Sequence, residues 1–154
     1  MFGPVQTTYS FRDLTGVLIN PILDIPYQLV GGNIGLGSIT IKMLTERADV
    51  LVGTDGSVMP MYIAGANAEM TIEVQQTSDL HHALIDLYNL LVTAADWNND
   101  VSFWAATTIS LRTITDGTGH YLTGVMPRKI PDKPYAAKGQ NVTWNFLAAN
   151  AITQ

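Results

Sequence analysis

Residues 69–91, EMTIEVQQTSDLHHALIDLYNLL, change hydrophobic period halfway along. The first half alternates as a half-buried strand does, with Met70, Ile72 and Val74 on one side and Glu69, Thr71, Glu73 and Gln75 on the other. The second half repeats as a helix: Leu80, Leu84, Leu87 and Leu91 fall at i, i+4, i+7 and i+11, and Ala83 and Leu90 widen the stripe. Thr77 or Ser78 can cap that helix, and Asp79 places a negative charge at the positive end of its dipole. Any fold for this chain must accommodate one amphipathic helix that starts where a strand with an acidic, amide-rich second face ends.

The rest of the chain reads as strands. SITIKM (38–43) alternates, DVLVG (49–53) is a short apolar run stopped by glycine, and TDGS (54–57) holds an Asp-Gly turn signal that pairs 49–53 with 58–64. A strand over 67–76 leads into the helix, whose pattern fades near Thr93, and DWNND (96–100) is turn-like. TTISLRTI (107–114) and HYLTGVM (120–126) flank TDGTG, a second hairpin signal, and NVTWNFLA (141–148) puts Val142, Trp144 and Phe146 on one face. Between them PRKIPDKPYAAKGQ (127–140), with three prolines and four of the eight basic residues, is expected to be an irregular surface segment.

At 154 residues the chain is expected to form one domain, 1–154, with a real core. Charged residues make up only 14% of it, against roughly 25% in typical soluble domains, which suggests that copies of the chain cover much of one another's surface. Charge is also uneven: residues 1–100 carry 3 basic and 11 acidic side chains, residues 101–154 carry 5 and 2. Unlike surfaces on one small domain suit head-to-tail association. There is no cysteine, which excludes disulfides and thiolate chemistry. No apolar run approaches 18 residues and the N-terminus lacks a signal-peptide pattern, so the expectation is an intracellular, soluble chain without a membrane segment.

No constellation of residues amounts to a catalytic, cofactor or metal site. GGNIGLG (31–37) lacks the following helix and the Gly-Lys-Ser/Thr that a phosphate loop needs, and reads as a flexible loop. His81 and His82 are adjacent on the helix, about 100° apart, and a solvated or interface role suits them better than ligation. Glu69 and Glu73 lie roughly 13 Å apart along one strand face, too far for a glycosidase pair. Arg128, Lys129, Lys133 and Lys138 lack interleaved aromatics apart from Tyr135, and the acidic balance disfavours phosphate-driven nucleic-acid binding.

The ordered set of segments resembles the tail tube proteins of contractile-tailed bacteriophages. The resemblance is carried by YSF followed by Asp13, a glycine-rich loop running into GSITIKML, then VGTDGSVM, the small-residue turn AGANAE, MTIEVQQTS leading into the helix, and KIPDKPYAAKGQNVTWNF. It covers nearly the whole chain. What it implies is an antiparallel β-sandwich or distorted barrel with one helix beside it, assembled as six-membered rings that stack head to tail into a hollow conduit for DNA.

On that resemblance the wall of the conduit is expected to be Ser38, Thr40, Lys42, Glu69, Thr71, Glu73 and Gln75, with Leu80, Leu84, Leu87 and Leu91 packing the helix on the strands' apolar side. Six copies giving roughly four strands each, about 4.8 Å apart, make a circumference on the order of 115 Å and a backbone diameter of roughly 37 Å. Neutral and weakly acidic walls would let DNA slide without specific binding. Stacking contacts are expected from the loop and hairpin at about 44–60, with Arg47, Asp49 and Asp55, while Arg128, Lys129, Lys133 and Lys138 meet acidic residues of a neighbouring copy. Further partners implied are a contractile sheath, a baseplate or tube initiator and a tail terminator, within a virion assembled in the host cytoplasm; no cofactor and no enzymatic activity are implied. The competing readings are the tube subunit of a bacteriocin or secretion system, another phage β-sandwich protein such as a capsid decoration protein, and, further off, a small β-rich enzyme or binding module.

Overall fold

The computed structural model describes residues 10–23, 25–30, 36–114 and 117–154. Tyr9, most of the GGNIGLG loop, and Thr115 and Asp116 of the second Asp-Gly turn lie outside them. After a single 3-10 turn (Phe11–Asp13) come β1 (Leu14–Ile19), β2 (Tyr27–Gln28), β3 (Leu36–Met43), β4 (Ala48–Val52), β5 (Val58–Tyr62), β6 (Ala68–Gln75), α1 (Asp79–Asp96), β7 (Thr107–Thr113), β8 (Gly119–Pro127) and β9 (Asn141–Thr153). Seven strands form one antiparallel sheet in the order β2-β1-β7-β8-β9-β6-β3; β4 and β5 form a separate two-stranded hairpin.

Alternation decides which face of the sheet is covered. Met70, Ile72 and Val74 of β6 lie opposite Phe146, Trp144 and Val142 of β9, and all six are buried. Trp144 stacks on Phe146 at 5.9 Å, and the edge of Tyr88 from α1 meets its ring at 6.4 Å. The helix lays Leu80, Leu84, Leu87 and Leu91 onto this layer, each buried to within 3% of complete. Burial of a leucine contributes about 1.5–3 kcal/mol, so the stripe fixes α1 to the sheet.

The helix starts at Ser78, whose Oγ accepts the His81 amide at 3.2 Å while its own backbone stays extended. It runs to Asp96, one turn beyond the fading of the sequence pattern, because Val92 and Ala95 keep partial cover and Ala94 is buried. Asn99 at φ 51° and the Asp100 amide on the Ala94 carbonyl (2.9 Å) then close it.

The sheet curls. Ile39 and Ile41 on β3 stand four places from β7 in the strand order, yet they line one cleft with Leu14, Leu111 and Arg112. Within β8, Gly124 adopts φ +63° opposite Ala149, and a Cβ there would lie 2.7 Å from the Ala149 Cβ. That irregularity lets Leu122 and Val125, three residues apart, both face the core. The expected antiparallel sheet with one packed helix is present; its form is one curled half-barrel sheet.

Candidate functional site: a polar sheet face and a projecting hairpin

On β3 and β6 every residue whose neighbour points into the core points the other way. Ser38, Thr40 and Lys42 stand opposite Glu73, Thr71 and Glu69 in register, and β9 continues the same surface with Asn141, Thr143 and Asn145 beside Gln75, Glu73 and Thr71. The seven residues singled out for a conduit wall thus share one face, and it is the face away from the helix.

Its side chains bond mainly to one another. Ser38 donates to Glu73 at 3.3 Å, and Thr71 donates to the Asn145 carbonyl oxygen of the side chain at 3.1 Å. Arg128, just past β8, ion-pairs with Glu69 at 3.7 Å and sends its amide to the Asn145 backbone carbonyl. Glu69 therefore sits between Arg128 and Lys42, its cross-strand neighbour, so Lys42 has a carboxylate opposite it. Lys129 and Asp132 border a shallow hollow with Asn141, Thr143 and Asn145. Three basic and three acidic groups, with Glu73 as the third acid, thus share this surface.

Arg128 thus has a partner within its own chain, and its side chain stays 56% exposed. Lys133 lies 5.8 Å over the Tyr135 ring, and Lys133 and Lys138 remain on the exposed irregular segment expected for 127–140. The Gln76 amide anchors this segment to the body through the Pro134 carbonyl at 2.7 Å.

Every residue of β4 and β5 is exposed. One side of the hairpin carries Ala48, Val50, Val52, Val58, Pro60 and Tyr62; the other carries Asp49, Leu51, Met59 and Met61. Gly56 at φ +87° makes the turn, and Asp55 accepts both the amide and the hydroxyl of Ser57, bonds that hold its carboxyl below the usual carboxylate range. At the base Arg47 donates to the Gly65 carbonyl (2.8 Å) and reaches the Tyr62 hydroxyl (3.4 Å), while Thr45 bonds Asn67. Asp49 accepts the Val50 amide at 2.8 Å. Arg47, Asp49 and Asp55 thus each shape the hairpin before any neighbour arrives.

The two adjacent histidines separate. His82 is exposed, as expected, but His81 is 2% exposed, against the expected solvated or interface role: its Nδ1 accepts the Trp144 indole N–H at 3.0 Å. Burial, then Lys133 and His82, lower its pKa from the ordinary 6.5. The signal missed was position: His81 falls one residue after Leu80, on the shoulder of the leucine stripe. Among the described residues no group of three or more His, Cys, Asp or Glu could hold a metal ion, and no helix is long and apolar enough to cross a membrane.

A curled antiparallel sheet with one covering helix is the fold of contractile injection system tube components. The chain is similar to a chain from the sheath/tube terminator of an extracellular contractile injection system, PVC (TM-score 0.59, 10% identity, 98% of this chain and 99% of that one). It is likewise similar to chains from the tube-terminating cap of the anti-feeding prophage (0.58, 9%, 100% and 95%) and from the PVC sheath-tube complex in its extended state (0.54, 11%, 97% and 93%). No curated protein matches the chain. The family is set by sequence: the family model of the bacteriophage PhiTE tail tube protein matches residues 6–153, and the chain belongs to that phage tail tube family.

Proposed function

We propose that copies of this chain close into six-membered rings and stack head to tail as a phage tail tube, through which DNA passes from capsid to host. The observation that carries the reading is the common face of Ser38, Thr40, Lys42, Glu69, Thr71, Glu73 and Gln75, extended by β9 and turned away from the helix. Set side by side around a ring, the polar β3, β6 and β9 faces of successive copies make a bore lined by hydroxyls, amides and balanced charges. Such a wall releases few counterions from DNA and so has little affinity for it. The long β3, paired on one side only among the described residues, offers the free edge for that join.

In this reading the chain is a structural subunit without a catalytic step, part of the virion and assembled in the host cytoplasm. A sheath surrounds the tube, and an initiator and a terminator cap its ends. The first test is negative-stain electron microscopy of the purified chain over a concentration series, with light-scattering mass alongside. Rings or tubes with an open bore are expected; a compact monomer at every concentration, with or without a tube initiator, would refute the proposal. The likeness to a chain of the PVC extracellular contractile injection system supports a second reading, the tube subunit of such a system. Particles carrying DNA-filled capsids on these tubes would decide for the phage conduit.

A further inference from the structure

α1 spans the width of the subunit. It starts beside β6, where Trp144 of the adjacent β9 meets His81, and from Asp86 to Thr93 it borders a shallow hollow with Tyr27 of β2, the strand at the opposite edge of the sheet. Its last turn and the residues after it therefore project on the β2 side. There Trp97 is 81% exposed and Val101 70%, flanked by Asp96 and Asp100. Residues 86–111 hold three acids and no lysine or arginine. Asp96 stands in the last turn, at the negative end of the helix dipole, where a cation is favoured and an acid is not.

The start of α1 has the opposite character. Segment 127–140 is tied there by the Gln76 amide on the Pro134 carbonyl at 2.7 Å, and Lys133 lies close enough to His81 to act on its charge. Lys133, Tyr135 and Lys138 are exposed, Tyr135 by 87%, and Lys133 lies 5.8 Å over the Tyr135 ring. β6 neighbours β3, the other edge of the sheet, so the basic and acidic patches flank opposite sides of the subunit, each with an exposed aromatic residue. Unlike patches on opposite sides suit a contact that repeats around a closed ring.

Dimensions fit that contact. Eighteen residues make α1 about 27 Å long. A helix layer about 10 Å outside a wall roughly 37 Å across follows a circle about 180 Å round, or roughly 30 Å for each of six copies. The end of one α1 then reaches the start of the next.

We infer that segment 133–138 of one copy docks on the end of α1 of its lateral neighbour, with Tyr135 against Trp97 and Val101 and Lys138 opposite Asp96. This rests on the ring reading above, and it names the acidic side chains that the basic segment meets.

The chain has no cysteine, so an introduced pair reports cleanly. Ala137→Cys with Asn98→Cys leaves every charge and aromatic ring in place, and both positions are exposed. Assembled particles bridged with a short bis-maleimide and then denatured should give a ladder of covalent oligomers that stops at the ring number. A ladder that lengthens with the tube, or tubes without covalent oligomers, would overturn the inference. Failure of the unmodified chain to form rings would instead sink the ring reading. Charge exchange provides a second arm. Asp96→Lys or Lys138→Glu alone should raise the concentration needed for assembly about tenfold, and the two together should restore it to within about threefold. Asp96→Lys also complements the helix dipole, so the unassembled variant should melt no lower than the unmodified chain, which separates lost docking from lost folding. A double variant no better than either single one would also overturn the pairing.

Discussion

The Trp144 indole N–H donates to Nδ1 of His81 at 3.0 Å, in the layer where α1 lies on β9. Because Nδ1 accepts, the neutral ring carries its proton on Nε2, which is buried without a partner among the described residues. Protonation would turn Nδ1 into a donor facing a donor and leave a charge among leucines.

Acid should therefore loosen the seat of the helix. Folded His81 has a lowered pKa, so the unfolded chain binds the extra proton first; the stabilisation is complete above the ordinary 6.5 and is lost as pH falls below it toward the lowered value. Thermal melts from pH 7.5 to 5 should show a decline that His81→Leu removes. The same variant strands the indole N–H and should cost about 1–3 kcal/mol at neutral pH. An unchanged pH profile in the variant would show that other groups control this window.

Leu87→Ala should remove about 2–5 kcal/mol, since Leu87 is 1% exposed beneath the helix and its cavity cannot collapse against a sheet. Leu90, only three residues on, is 43% exposed, and its alanine variant should cost less than about 1 kcal/mol. Denaturant midpoints of the two variants check the contrast.

Gly124→Ala should destabilise the chain by at least about 1–2 kcal/mol, the cost of a Cβ in the left-handed region, with the contact to Ala149 added. Ala149→Gly in the same chain should recover the contact part and leave the conformational part. Full recovery would mean that the φ value carries no cost.

Under the proposed conduit reading, Glu73→Lys should make a sliding wall into a holding one. Glu73 is exposed on the polar face, and each lysine that neutralises a phosphate adds about 0.9 to the salt slope of DNA binding. Assembled tubes of the variant should retain DNA at low salt and release it as salt rises. Lys introduced at exposed Asp79, on the helix outside the polar face, should not do so; equal retention by both would argue against a DNA path along the β6 face.

Much of this architecture was legible because alternation and period are local. Glu69 to Gln75 and Leu80 to Leu91 announce their faces within a few residues, and two Asp-Gly pairs mark hairpins. β1 went unread, since LTGVLI has no clean alternation and its Gly16 is fitted to the Leu111 side chain, a long-range matter. β9 runs to Thr153 although AANAIT is weakly patterned, because β8 and the Ala66 carbonyl pair it from outside. The ion pair of Arg128 with Glu69 joins positions 59 apart, and the burial of His81 depends on Trp144, 63 residues away. Nothing local records either.

The joint at the base of the hairpin has a mechanical meaning. Arg47 bonds the returning strand at Gly65 and Tyr62, and Thr45 bonds Asn67, so departure and return are clamped together where a hinge would need slack. A clamped arm is a lever: it cannot swing without bending the sheet it springs from. Rotation of one subunit would then be passed to whatever grips its arm, giving an assembly of such subunits torsional stiffness without any covalent link.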